Sequence, residues 1–161
     1  MSKILGSWSA MRKYLEKEML CDSLQGRIRY EHKKYRNMDS CWGIFEIFAD
    51  DKLLKRFSAE TMGKSFQNED GLWKAYWAAK NISVTERTAF DDEDFADALA
   101  DYRSLQICDA LKSENPLVRM FAVLDRRIGK RTLVELHKTI EEQPEWLRQF
   151  YLLRLHSENI C

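Results

Sequence analysis

Asn115-Pro-Leu-Val-Arg-Met-Phe-Ala-Val-Leu-Asp-Arg-Arg-Ile-Gly-Lys-Arg-Thr-Leu133 is the stretch on which the reading of this chain turns. Asn followed by Pro is a helix start. The Asn side chain accepts from free N–H groups of the first turn, and Pro fits the first helical position because its missing N–H has no partner there anyway. Leu117, Met120, Phe121, Leu124 and Ile128 then recur every three or four residues, the spacing of one apolar helix face. Gly129 is the expected stop, in the left-handed conformation that only glycine adopts freely. Thr132 is the expected cap of a next helix that buries Leu133, Leu136 and Ile140. Gln143-Pro144 repeats the start signal. The final helix carries Trp146, Leu147, Phe150, Tyr151, Leu152, Leu153 and Leu155 on more than one face, which predicts a central place in the packing.

Working outward, Phe90-Asp-Asp-Glu-Asp-Phe95 is a second helix start. Asp91 caps, the acids sit where the helix dipole favours them, and Phe90 staples to Phe95. That helix is expected to bury Phe95, Leu99, Tyr102, Leu105, Cys108 and Leu111 and to break over residues 112–115. Near the start of the chain, Ser7 caps a helix reaching about Leu20, with Trp8, Met11, Leu15 and Met19 as its apolar stripe. The period then changes to two. Residues 27–35, 41–49 and 52–57 read as three antiparallel strands, the middle one apolar on both faces and Asp50-Asp51 a tight hairpin turn. In the third, alternation puts Leu53, Lys55 and Phe57 on one face. Residues 58–88 read least clearly. Leu72, Trp73, Tyr76, Trp77 and Ala79 suggest a helix whose aromatics cover the sheet rather than face a partner. The expectation is an α+β fold, mainly helical, with a small three-stranded antiparallel sheet packed by an N-terminal helix and a C-terminal helical layer. Residues 1–161 are read as one domain, 1–57 holding the first helix and the β-meander and 58–161 the helical part.

Composition narrows the function classes. The chain is 161 residues long, 45% hydrophobic and 12% aromatic, which excludes disorder and allows a sizeable core. Twenty-six basic and 26 acidic residues give a net charge of zero, so only a local patch can attract an anion. No apolar run is long enough to span a bilayer, and the first residues lack the apolar centre of an export signal. Cys21, Cys41, Cys108 and Cys161 show no paired spacing, and they read as reduced thiols in a cytoplasmic protein. No cofactor or metal is expected.

Two cation groups are the candidate binding residues. Arg126, Arg127, Lys130 and Arg131 flank Gly129, where they either complement a helix C-terminus or form an anion site. They are not a phosphate-binding loop: Leu124 occupies the place of the first glycine, and Arg131 that of the Ser or Thr after Lys130. Arg27, Arg29, Lys33, Lys34 and Arg36 interleave with Tyr30 and Tyr35. On a strand they would either track a phosphate backbone while the rings stack bases, or form a charged, protected edge. His32, His137 and His156 have no local motif partner. The reading is therefore a non-enzymatic binding or accessory protein whose partner is another protein, a nucleic acid or a second copy of the chain, and not a membrane. The alternative is a small hydrolase or transferase with a dispersed site, in which one of those histidines meets carboxylates or a Cys in a deep pocket.

Three stretches carry a resemblance: Leu20-Cys-Asp-Ser-Leu-Gln-Gly-Arg-Ile-Arg-Tyr30 with Tyr35-Arg36, Val118 through Leu133, and Pro144-Glu-Trp-Leu-Arg-Gln-Phe-Tyr-Leu-Leu-Arg-Leu155. With them the chain resembles a family of small uncharacterised bacterial proteins. One departure is Asp50-Asp51, where the family pattern has Asp-Gly. The resemblance implies a bacterial cytoplasmic protein and brings no activity with it.

Overall fold

The structure, a computed structural model, describes residues 6–35, 42–64 and 72–160. Helix α1 (Trp8–Lys13) is capped by Ser7 and continues as a π-helical turn, Tyr14–Glu18. A short 3-10 turn (Asp22–Leu24) precedes β1 (Ile28–Lys33), β2 (Ile44–Ala49) and β3 (Lys52–Phe57). The helices α2 (Ala59–Lys64), α3 (Leu72–Lys80), α4 (Asp92–Ser104), α5 (Ile107–Leu111), α6 (Pro116–Val123), α7 (Lys130–Lys138) and α8 (Glu145–Ser157) follow. The architecture is α+β, as expected. The candidate Arg36 and the cysteines Cys41 and Cys161 lie outside the described residues. No helix among the described residues is long and apolar enough to cross a membrane.

The sheet has the order β1-β2-β3, both pairs antiparallel. Ile28, Tyr30, Phe45, Ile47, Ala49 and Phe57 form its buried face. Phe45 stacks on Phe95 of α4 at 4.2 Å, and Tyr30 on Phe121 of α6 at 6.3 Å. One main core runs from Met11 on α1 to Leu155 on α8. The N-terminal helix and the C-terminal helical layer thus close on the sheet.

The opposite face carries Arg29, Glu31 and Lys33 from β1, Glu46 and Phe48 from β2, and Leu53 and Arg56 from β3. Strict alternation put Leu53 with Lys55 and Phe57, and the structure corrects this. The register slips between Ile47 and Phe48, so Leu53 opposes Phe48 while Lys55 opposes Ile47. One extra residue on β3 turns Leu53 outward and Lys55 inward.

Four helical readings are also corrected. Gly129 does not end a helix: at φ −89° it is the N-cap of α7, which begins at Lys130, ahead of the expected Thr132 cap. Helix α4 stops at Ser104 because Leu105 and Gln106 are extended, and Cys108 on α5 is exposed rather than buried. The central helix is α6, all of whose residues except Arg119 are buried, and not α8, whose Leu152 is exposed. Of the α3 aromatics, Tyr76 joins Ala79 and Met62 in a small cluster apart from the main core, and Trp77 is 63% exposed instead of covering the sheet.

Asp50 and Asp51 have φ of 51° and 65°. A two-residue hairpin loop with both central residues left-handed is a type I′ turn, which suits Gly at its second position. The Arg27 guanidinium clamps Asp50 through two bonds of 2.9 Å, whereas Asp51 is almost fully exposed and only 3.8 Å from Arg29. Asp51→Gly is therefore expected to stabilise the protein by about 0.5–1 kcal/mol, roughly 2 °C in Tm, measured by thermal unfolding; a lower Tm contradicts this account of the turn.

Candidate functional site

The Arg126 group follows directly from α6. Past Val123 the chain pairs with the N-terminal segment: Cys21 N–H donates to the Leu124 carbonyl (2.9 Å), and Arg126 N–H to the Met19 carbonyl (2.7 Å). Between them Asp125 is 1% exposed. Its carboxylate accepts from the Tyr102 hydroxyl, from the Arg127 backbone N–H at 2.8 Å and from Arg127 Nη2 at 2.7 Å. Beside it lies a cavity of about 10 Å³, lined by Leu15, Tyr30 and Phe121 among others, with room for roughly one water. Burial, and then the neighbouring Asp125 charge, push the Tyr102 phenol far above its ordinary range, while Asp125 chiefly holds Arg127 charged. A phenol kept protonated and a carboxylate already accepting several hydrogen bonds make neither a nucleophile nor a general base. This cluster is structural.

Arg154 of α8, 2% exposed, completes it from the other side. Its Nη1 donates to the carbonyls of Val123 (2.9 Å) and Asp125 (2.8 Å), its Nη2 to that of Ile128 (3.0 Å), and its Nε to Glu158. These carbonyls lie at the end of α6 and in the turn after it, where the backbone runs out of helical partners. Sequence reading missed Arg154; the only signal was a cation inside an otherwise apolar run.

The predicted cations divide sharply. Arg127 is tied to Asp125. Arg126 donates to the Glu18 carbonyl at 3.3 Å and lies 3.8 Å from Asp22, with half its side chain exposed. Lys130 and Arg131 are exposed, and neither has an ion pair among the described residues. On the sheet Arg27 pairs with Asp50, Arg29 with Glu31 (3.1 Å) and Lys33 with the buried Glu46 (3.0 Å). Lys34 is exposed. Arg29 also lies over the Phe48 ring at 4.5 Å. Tyr30 is buried in the core, so it is not available to stack bases. The strand reads as a self-neutralised surface.

Among the described residues no histidine is paired with a carboxylate or a Cys, as the dispersed-site enzyme requires. His32 bonds to the Trp42 carbonyl and stacks on Phe45, while His137 and His156 are exposed. Cys21 and Cys108 are free thiols. Among the described residues no three His, Cys, Asp or Glu side chains are grouped to hold a metal ion.

A second polar cluster surrounds the α4 start. Asp91 and Asp94 form a capping box, each accepting the other's backbone N–H at 2.9 Å. Arg87 forks onto Asp94 at 2.8 and 3.0 Å, while Tyr76 (2.6 Å) and Lys80 (3.1 Å) reach Asp91 from α3. Burial raises the Asp91 carboxyl above its ordinary range. It works in the same sense on Asp94, but there the Arg87 bonds, the Asp91 backbone N–H and the Lys80 and Arg87 charges together outweigh it and hold the group low. Asp92 accepts from the Trp42 (2.8 Å) and Gly43 (3.3 Å) N–H groups, fixing the entry to β2. The acids seen in the sequence as dipole partners are thus also anchors for α3 and the sheet.

Removing the fork of Arg154 leaves three carbonyls without their donor. Arg154→Met is expected to cost about 3–5 kcal/mol in urea unfolding, and Arg154→Lys should rescue little because an ammonium lacks the fork. A loss below about 1 kcal/mol contradicts the role given to it. For Glu46, burial pushes the pKa up, but hydrogen bonds from Lys33 and Arg56 prevail and the folded value lies below the ordinary one. Its stabilising contribution is therefore complete above the ordinary carboxylate range and is lost as pH falls through the lowered value. Glu46→Gln should be less stable than the parent at neutral pH, and the difference should close as pH falls from the ordinary carboxylate range through the lowered Glu46 value. A difference that is independent of pH contradicts the assignment.

Residues 7–155 match the SF0329 protein family, a span that contains all three stretches on which the resemblance rested, and Tyr35-Arg36 with them. No curated protein and no solved structure matches the chain. The match covers nearly the whole sequence: the chain belongs to the SF0329 protein family.

Proposed function

We propose that the chain is a non-enzymatic binding or accessory protein of the bacterial cytoplasm, acting as a single domain, and that it contacts an acidic segment of a protein partner through Arg126, Lys130 and Arg131. The observation that carries this reading is the charge placement at the start of α7. Its first turn has no acidic residue and no capping side chain, yet it begins with Lys130 and Arg131. Cations at a helix N-terminus oppose the dipole. The free N–H groups and the two side chains share one need, a negative partner, and none is supplied from within the described residues. Arg127 is excluded from the contact because Asp125 already holds it. Arg27 and the β1 cations Arg29 and Lys33 are excluded on the same ground.

Fluorescence anisotropy with a short labelled polyglutamate peptide and a single-stranded oligonucleotide, across a salt series, tests this. The peptide should bind more weakly as salt rises, and the triple variant Arg126→Ala/Lys130→Ala/Arg131→Ala should lose about tenfold in affinity, each exposed cation contributing a few tenths of a kcal/mol to about 1 kcal/mol. Unchanged affinity in the triple variant, or tighter binding of the oligonucleotide than of the peptide, overturns the proposal.

A further inference from the structure

An antiparallel sheet that turns one face to water carries polar side chains on that face. Strand β1 complies with Arg29, Glu31 and Lys33, but the middle of the outer face does not. Phe48 stands directly opposite Leu53, and Leu53 is 44% exposed. The extra residue on β3 makes this possible. Leu54 packs at the edge of the main core and its carbonyl accepts from Gln149 of α8, while Leu53 takes the outward place. Around the apolar pair both signs of charge are already matched. Arg29 lies over the Phe48 ring at 4.5 Å and 3.1 Å from Glu31. Lys33 and Arg56 hold the buried Glu46 at 3.0 and 2.7 Å, and both cations stay exposed.

We propose that this outer face of the sheet is where two copies of the chain meet, in a weak twofold dimer centred on Phe48 and Leu53. A twofold contact sets a patch against itself, so it needs both signs of charge within one patch, and this face has them. A nucleic acid or an acidic segment needs uncompensated cations, and Arg29, Lys33 and Arg56 are compensated. The zero net charge of the chain adds no repulsion between copies. None of these residues belongs to the start of α7, so the dimer and the acidic contact proposed there stand or fall independently. Area sets the strength. Three strands of six residues cover about 20 Å by 14 Å in projection, roughly 300 Å². A stable interface of standard size buries about 800 Å² per partner, so the dissociation constant is expected at about 100 μM or above.

Sedimentation velocity from about 10 μM to about 1 mM should show the mean mass climbing from one chain toward two. Leu53→Glu sets a charge in the apolar centre and should weaken dimerisation by about tenfold or more, whereas Lys130→Ala/Arg131→Ala should leave it unchanged. Leu53 is exposed in the single chain, so the substitution spares the core. Amide NMR shifts of the parent on dilution locate the contact without any substitution: they should move at residues 29–33, 46–48 and 52–56 and not on α7. A chain still monomeric at about 1 mM, a dimer that Leu53→Glu leaves unchanged, or dilution shifts confined to another face, overturns the proposal.

Discussion

A single guanidinium decides how the two ends of this chain meet. Arg154 lies in the interior and donates to three carbonyls at the end of α6 and in the turn after it. Burying a guanidinium costs several kcal/mol, and only a nearly full set of charge-assisted bonds offsets it. That requirement is directional. Carbonyls satisfy the fork only where α6 has just ended and the chain has turned, so α8 has one workable axial position against α6. The same turn presents Asp125 to Tyr102 and pairs with Leu20, which fixes the N-terminal segment against the C-terminal layer. Apolar burial alone would tolerate a helix sliding by a turn; the arginine fork does not.

The second polar cluster works where apolar burial is small. Helices α2 and α3 share a cluster of Met62, Tyr76 and Ala79 that is separate from the main core. Their connection to the body runs through Tyr76 and Lys80 onto Asp91. Asp91 can take both because its helix start already orients it through the capping box with Asp94, and Arg87 neutralises Asp94. The acids at the α4 start therefore do three tasks at once: they cap a helix, hold α3, and through Asp92 fix the first residues of β2.

How much of this the sequence displays depends on the range of the interaction. Local chemistry is legible. Asn115-Pro116, Ser7 and Asp91 each cap as their residue types require, and alternation places Ile28 and Tyr30 inward. Features set by remote partners are not. The slip opposite Ile47 and Phe48 inverts Leu53 relative to Lys55, and nothing within β3 records it, because it depends on how β3 aligns with β2. Leu105 and Gln106 are ordinary helix formers, yet the helix breaks there; no side-chain cap accounts for it, and the break makes α5 a separate helix in contact with α6. Gly129 invited a left-handed stop, but the Asp125 turn had already ended α6, and glycine serves instead as an extended N-cap. Of the candidate site, the sequence showed which residues are cationic and not which of them are spoken for.

That last distinction bears most on function. In a chain with zero net charge, a run of cations is more often one half of a set of ion pairs than a free patch, because acids elsewhere must go somewhere. Arg27 and Lys33 find a carboxylate in the hairpin and across the sheet, while Arg29 and Arg127 each find one two residues away along the chain. Sequence distance does not separate the two outcomes: Arg127 is three positions from Lys130. What separates them is the turn between α6 and α7. It folds Asp125 inward beneath Arg127, while Gly129 releases the chain outward and leaves Lys130 and Arg131 on the opening turn of a helix whose first turn holds no acid. A substitution pattern that treats the four cations as one patch would confuse a fold contact with a binding contact, and separating Arg127 from the others is what makes the two readings distinguishable.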